Sequence, residues 1–216
     1  MAGPLNRAPL TRTKDGGNPT SAGPAPAYRR QRDDGWGSPI EVIPMTGGTA
    51  MSLIDDALRA NATITADRTP IDVVPPAPRI AIVTCADPRV SGLVRLLGLD
   101  DADVDLIRNV GTVIDEDSLR SLIISTRVLG TSEIMIVNHD DCGMLRFTDD
   151  ELHARLRAET GASPVVPARF YSFSDTEEDT REQVRRARTH PWISADVPIR
   201  GFVLDLATGR LTEVLP

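Results

Sequence analysis

The chain has 216 residues, 40% of them hydrophobic and 25% charged, with a net charge of −7. That length and apolar content suffice to bury one sizeable core, while the acidic balance argues against a general nucleic-acid binder, which needs basic patches to meet phosphates. No apolar run approaches the roughly 20 residues that cross a bilayer, so no membrane-spanning helix is expected.

Taken in chain order, residues 1 to 50 hold seven of the 17 prolines and eight of the 16 glycines and show no sustained helical or strand period. Such a segment cannot bury enough surface to offset its chain entropy; it is read as a disordered extension, and residues 51 to 216 as one domain. Six basic and four acidic residues are mixed in the extension without an apolar h-region, so a secretory signal is not expected. Arg29, Arg30 and Arg32 give it only a weak likeness to a transit leader. Met51 stands directly before the first expected helix and is a candidate translation start. That helix, Ser52 to Ala62, opens on a Ser52 and Asp55 capping pattern. Its apolar stripe of Leu53, Ile54, Ala57 and Leu58 is too narrow to be stable alone and must dock somewhere.

Three prolines make Asp72 to Pro78 an extended connector, and Arg79 to Thr84 then reads as a β-branched strand. Leu93 to Leu99 suggests a short helix and Val104 to Arg108 a second strand. Leu119, Leu122, Ile123, Thr126 and Leu129 recur at three and four residues, the buried stripe of a helix capped near Asp115 to Ser118 and ended by Gly130. Glu133 to Asn138 is the third strand. The β-α-β-α-β alternation implies an α/β fold with a central, mostly parallel sheet flanked by helices and joined by right-handed crossovers. Thr148 to Glu159 and Thr176 to Arg188 read as charged surface helices. Gly201 to Leu206 is a last long strand, followed by a turn at residues 207 to 210 and a strand or tail over Leu211 to Leu215.

The chain holds only two cysteines and three histidines. Cys85 and His139 each fall just past an apolar strand, with Cys142 three residues beyond His139. In open α/β sheets ligands bind outside the carboxyl ends of the strands, so segments more than fifty residues apart would deliver two thiolates and an imidazole to one crevice. Zinc favours sulfur and nitrogen donors, and a catalytic site uses three protein ligands and leaves the fourth position open. The competing readings are cysteines buried as small hydrophobes and a structural disulfide, which a reducing cytosol disfavours. Asp87 and Arg89 follow the first candidate ligand; taken alone they would be a turn or a surface ion pair.

Cys85-Ala86-Asp87-Pro88-Arg89, Arg108-Asn109-Val110-Gly111 and His139-Asp140-Asp141-Cys142-Gly143 together resemble the β-class carbonic anhydrases, over about Met51 to Pro216, and most of all the small actinobacterial members. The resemblance implies one Zn2+ per chain on Cys85, His139 and Cys142, and reversible hydration of CO2 to bicarbonate and a proton by zinc-bound hydroxide. It makes Asp87 and Arg89 the catalytic pair, the arginine fixing the carboxylate bidentately, with Asp87 a fourth metal ligand in a closed state. It implies an enzyme acting on a small molecule, assembled as a homodimer or dimer of dimers with the Ser52 to Ala62 helix across its partner; with no secretory signal expected, the chain is read as cytoplasmic. Carbonyl sulfide hydrolases share these motifs and remain an alternative, as does a weakly active, zinc-stabilised binding protein. Two departures stand out: Val110, where a smaller residue is usual, is expected to crowd the pocket or a nearby contact, and Asp140 adds a negative charge beside the ligands. His153 and His190 read as a solvated helix residue and a turn residue, and Arg181, Arg185, Arg186 and Arg188 as a solvated helix face.

Overall fold

A computed structural model of the chain describes residues 52–66, 78–163 and 165–215. The expectations for residues 1 to 50, for Met51 and for most of the proline-rich connector lie outside the described residues.

Helix α1 spans Leu53–Thr65, three residues beyond its expected end, and opens on the capping box expected of Ser52 and Asp55. None of its side chains is buried; Leu53, Ile54, Leu58 and Ile64 are all exposed. Strand β1 (Ile80–Cys85) is followed by one helical turn, α2 (Leu93–Leu96), strand β2 (Val104–Asn109), α3 (Glu116–Ile124), β3 (Glu133–His139), α4 (Asp149–Thr160), α5 (Thr176–Thr189), β4 (Ile199–Leu204) and β5 (Leu211–Val214). Asp115 caps α3 by accepting from the Ser118 N–H, and a wider turn over Ser125–Leu129 carries the helix on to Gly130. The five strands lie in the order β2-β1-β3-β4-β5; all pair in parallel except β5, antiparallel to β4. No helix among the described residues is long and apolar enough to cross a membrane.

The uninterrupted apolar runs of β1 and β3 are explained by burial on both faces. Ala81, Val83, Ile134 and Ile136 pack with Leu122 of α3 and Val184 and Ala187 of α5. Ile82 and Val137 point the other way, towards Leu93, Met144 and Leu204. Helix α5 approaches β4 closely at Gly201, where a Cβ would stand 2.8 Å from Val184 Cγ2 and 2.9 Å from Thr180 Cγ2. Both neighbours are β-branched and buried, so neither can swing clear. Gly201→Ala is therefore expected to destabilise the protein by about 1–3 kcal/mol through overpacking. Urea unfolding checks this: the midpoint should fall while the slope stays constant.

The sheet positions the site. β2 lies on one side of β1 and β3 on the other, so the chain reverses its direction of travel across the sheet at the β1/β3 pair. A crevice opens at the carboxyl ends of two such strands. Thr84 lies opposite Val137 in that pair, which places Cys85 and His139, each the last residue of its strand, at the mouth of the crevice.

Candidate metal centre and active site

Cys85, His139 and Cys142 offer ligand atoms that all lie within 4.8 Å of one another, and all three residues are buried. His139 Nδ1 is 2.7 Å from the Asp140 carbonyl oxygen. That contact assigns the proton to Nδ1 and leaves Nε2 as a bare acceptor. Nε2 is the buried side-chain nitrogen or oxygen atom that finds no hydrogen-bond partner among the described residues. A buried polar atom without a partner is costly, and an electrophile at the focus of the three donors removes the cost. Two thiols and a neutral imidazole form the soft donor set that zinc selects, so the residues fit the ion.

The thiols are electrostatically coupled. A hydrogen bond from Cys142 holds the Cys85 thiol down at about 4, against the effect of burial and with help from His139 and the Gly111 N–H. The same bond and burial push the Cys142 thiol upward. Without a cation the pair therefore shares one proton, because two adjacent thiolates repel; with one, both are deprotonated. Burial opposes charge on His139, yet contact with Cys85 and the Asp140 carbonyl raise its pKa overall.

Beside these donors Asp87 accepts from the Arg89 backbone N–H at 2.8 Å, capping the turn Pro88–Val90. Its oxygens also receive Arg89 Nε at 3.0 and 3.1 Å and Nη2 at 2.7 Å. The turn expected of Asp-Pro and the dyad expected of the motif are thus one structure. The Arg89 guanidinium holds the Asp87 carboxyl down at about 2, against burial. Its Oδ2 lies 3.9 Å from His139 Nε2, beside the donors.

Residues 80–211 match the family model for carbonic anhydrase. Beta-carbonic anhydrase 1 of Mycobacterium tuberculosis is 41% identical over 166 residues, 77% of this chain and 100% of that protein. The chain belongs to the β-class carbonic anhydrase family. A solved carbonic anhydrase from Streptococcus mutans superimposes with a TM-score of 0.68 at 36% identity, covering 76% of this chain and 99% of that one. Carbon disulfide hydrolase of Acidianus is 32% identical over 65% of this chain and 79% of its own length.

Several residues of this family member make contacts that the motifs alone did not show. Arg108 donates through Nε to the Cys85 carbonyl at 3.0 Å and through Nη2 to the Asp87 carbonyl at 2.8 Å, pinning the loop that carries both. Asn109 ties off the next turn by accepting from the Val113 N–H and donating to the Val113 carbonyl and Ser118 Oγ. Gly111 has φ +86, and its N–H donates to Cys85 Sγ at 3.4 Å; a Cβ there would meet Met144 Cγ at 3.1 Å. Behind His139, Asn138 Oδ1 accepts the His139 N–H while its Nδ2 donates to Asp179. Burial pushes Asp179 up to about 6, against the Gln183 amide that donates to it.

Other expectations need correction. Val110 is 63% exposed, so in this chain it crowds neither the donors nor the core. Asp140 turns its carboxylate to the Leu206 N–H at 2.9 Å, and its backbone carbonyl meets His139 Nδ1. His153 is partly buried, packing on Phe170 with ring centroids 4.9 Å apart, whereas His190 is the turn residue expected, its Nδ1 accepting from the Trp192 N–H. In the basic cluster Arg181 and Arg185 pair with glutamates of their own helix. Arg181 also donates to the Leu215 carbonyl, Arg186 reaches over the Tyr171 ring and Arg188 donates to the Ile199 carbonyl, so these three tie α5 to its surroundings.

Proposed function

We propose that this chain catalyses the reversible hydration of CO2 to bicarbonate and a proton, with one zinc ion on Cys85, His139 and Cys142 and with Asp87 and Arg89 completing the site. The observation that carries the reading is the placement of an arginine-held carboxylate directly beside three convergent, buried donors, one of them an unpartnered nitrogen. A purely structural site is closed by four protein ligands; three donors beside a restrained carboxylate suit a site with a position left for a reactant. Zinc, when bound, supplies a Lewis acid that brings the pKa of a water towards 7.

The protein's own part is orientation. Asp87 stays ionised throughout the neutral range, so it accepts a hydrogen bond from the attacking oxygen and fixes its direction. Arg89 keeps both Asp87 oxygens engaged and so restrains the carboxylate from moving onto the metal. A group held at about 2 is too weak a base to carry the product proton at neutral pH, and that proton leaves to solvent.

A second reading is hydrolysis of linear sulfur analogues, in which carbonyl sulfide and water give CO2 and hydrogen sulfide. The similarity to carbon disulfide hydrolase supports it. Purified zinc-loaded protein assayed with CO2, carbonyl sulfide and carbon disulfide separates the two: CO2 hydration is expected to dominate, and a larger kcat/KM for either sulfur compound would overturn the leading reading.

We further propose that residues 51 to 216 form the enzymatic domain, that it works in the cytoplasm, where the free thiols of Cys85 and Cys142 stay reduced, and that it assembles as a homodimer or a dimer of dimers. The exposed Leu53, Ile54, Leu58 and Ile64 of α1, with Leu106 on the edge strand β2 and Val110 just beyond it, supply apolar surface for a second copy to cover.

A further inference from the structure

The geometry points to Asp141 as a positioning residue for the Asp87 and Arg89 pair, acting through Arg89 from within the turn that carries His139 and Cys142. This inference rests on the roles just proposed for those residues. Asp87 occupies only one edge of the Arg89 guanidinium. Asp141 occupies the rest: its Oδ2 accepts from Nη1 at 2.9 Å and its backbone carbonyl from Nη2 at 3.0 Å. Its other oxygen, Oδ1, accepts from Arg146 Nη2 at 2.5 Å, so Asp141 is itself anchored on the far side. The result is an alternating chain of charge, Asp87, Arg89, Asp141 and Arg146.

Backbone geometry shows that this placement is built in. Asp141 has φ +49, a left-handed conformation that L residues other than asparagine and aspartate seldom adopt. In that conformation one residue presents both its carboxylate and its carbonyl to the same arginine. A guanidinium is a planar fork, and its grip on a carboxylate depends on orientation as well as charge. Asp87 holds the Nε and Nη2 edge, and 47% of the arginine side chain is exposed. Asp141 holds the Nη1 end and so restrains the plane from the other side. Because Asp141 lies between His139 and Cys142 in sequence, the segment that holds the metal donors also sets the arginine that restrains Asp87.

The test uses Asp141→Asn, which keeps the shape of the side chain and tolerates the same φ while removing the charge. Zinc content is expected to stay at one per chain, and kcat to fall about tenfold with little change in KM, the size usual when a partner behind a reacting group is lost. In an Arg89→Ala background the same substitution should cost nothing further, because a residue that acts through Arg89 has nothing left to act on. 15N relaxation of the Arg89 Nε–H gives a readout independent of turnover: rigid in the parent protein, mobile in Asp141→Asn. An unchanged kcat, an equal loss in the Arg89→Ala background, or an Arg89 Nε–H that stays rigid would each overturn the inference. If the parent protein turned over none of the three substrates, the proposed reaction would fail, and the relaxation measurement alone would decide the role of Asp141. Asp141→Gly, which suits a positive φ, carries the same measurements if Asp141→Asn does not fold.

Discussion

Cys142→Ser is expected to lose zinc on purification and CO2 hydration with it, and Cys85→Ser and His139→Ala should behave alike. Loss of a partner that merely supports a metal ligand already costs about 10- to 100-fold in affinity or activity, so removing one of three direct donors should cost at least about a hundredfold in affinity. Elemental analysis after dialysis against a chelator gives the first readout, and full zinc retention in Cys142→Ser would refute the assignment. Stability gives a second. The parent protein treated with a chelator should melt lower, because an ion that binds the folded state at a hundred times its Kd adds about 2.7 kcal/mol. The serine variant has no such stabilisation to lose, so the chelator should leave its melting temperature unchanged.

Asp87→Asn is the second substitution with a large expected effect, and its signature differs. Zinc should remain, since Cys85, His139 and Cys142 are untouched, while kcat falls by about a hundredfold or more as the charged acceptor for the attacking oxygen is replaced by an amide. The depressed pKa makes a further point. A carboxyl held at about 2 in the folded protein, from 3.8 otherwise, contributes stability that is present above pH 3.8 and lost as the pH falls through about 2. No inflection in the pH–rate profile near neutrality should therefore belong to Asp87, and an inflection that vanishes in Asp87→Asn would show that the arginine does not hold the carboxyl as low as its contacts imply.

Much of this architecture was legible in the sequence, and the parts that were not share a physical reason. β1 and β3 were readable because β-branched runs buried on both faces need no long-range information. Their ends were displaced by one residue: Cys85 and His139 complete their strands instead of following them, since Cys85 lies opposite Asn109 and His139 opposite Leu204 in the ladders. Pairing partners decide such boundaries, and they are remote in sequence. The donor set was readable from its place after the strands. Arg108 was visible only as a motif letter, because its task is to bond the carbonyls of Cys85 and Asp87, and backbone acceptors leave no trace in a residue pattern. The carbonyl of Asp140, which meets His139 Nδ1, is likewise a backbone contact that no residue pattern records. The size of Val110 points to crowding of the pocket or a nearby contact, but a residue type carries no information on the direction of its side chain, which is exposed.

The pairing of β1 with β3 would also dictate when the proposed zinc could arrive. In an unfolded chain His139 and Cys142 are near neighbours, but Cys85 is more than fifty residues away, and bringing it to them means closing a long loop without any contacts in return. Thr84 must first find its place opposite Val137, and that parallel register requires the intervening strand and helix to have crossed over the sheet. Zinc capture would consequently follow assembly of the sheet rather than seed it. With only two adjacent donors the unfolded ensemble would compete feebly for zinc, so nearly all the binding energy would favour the finished fold.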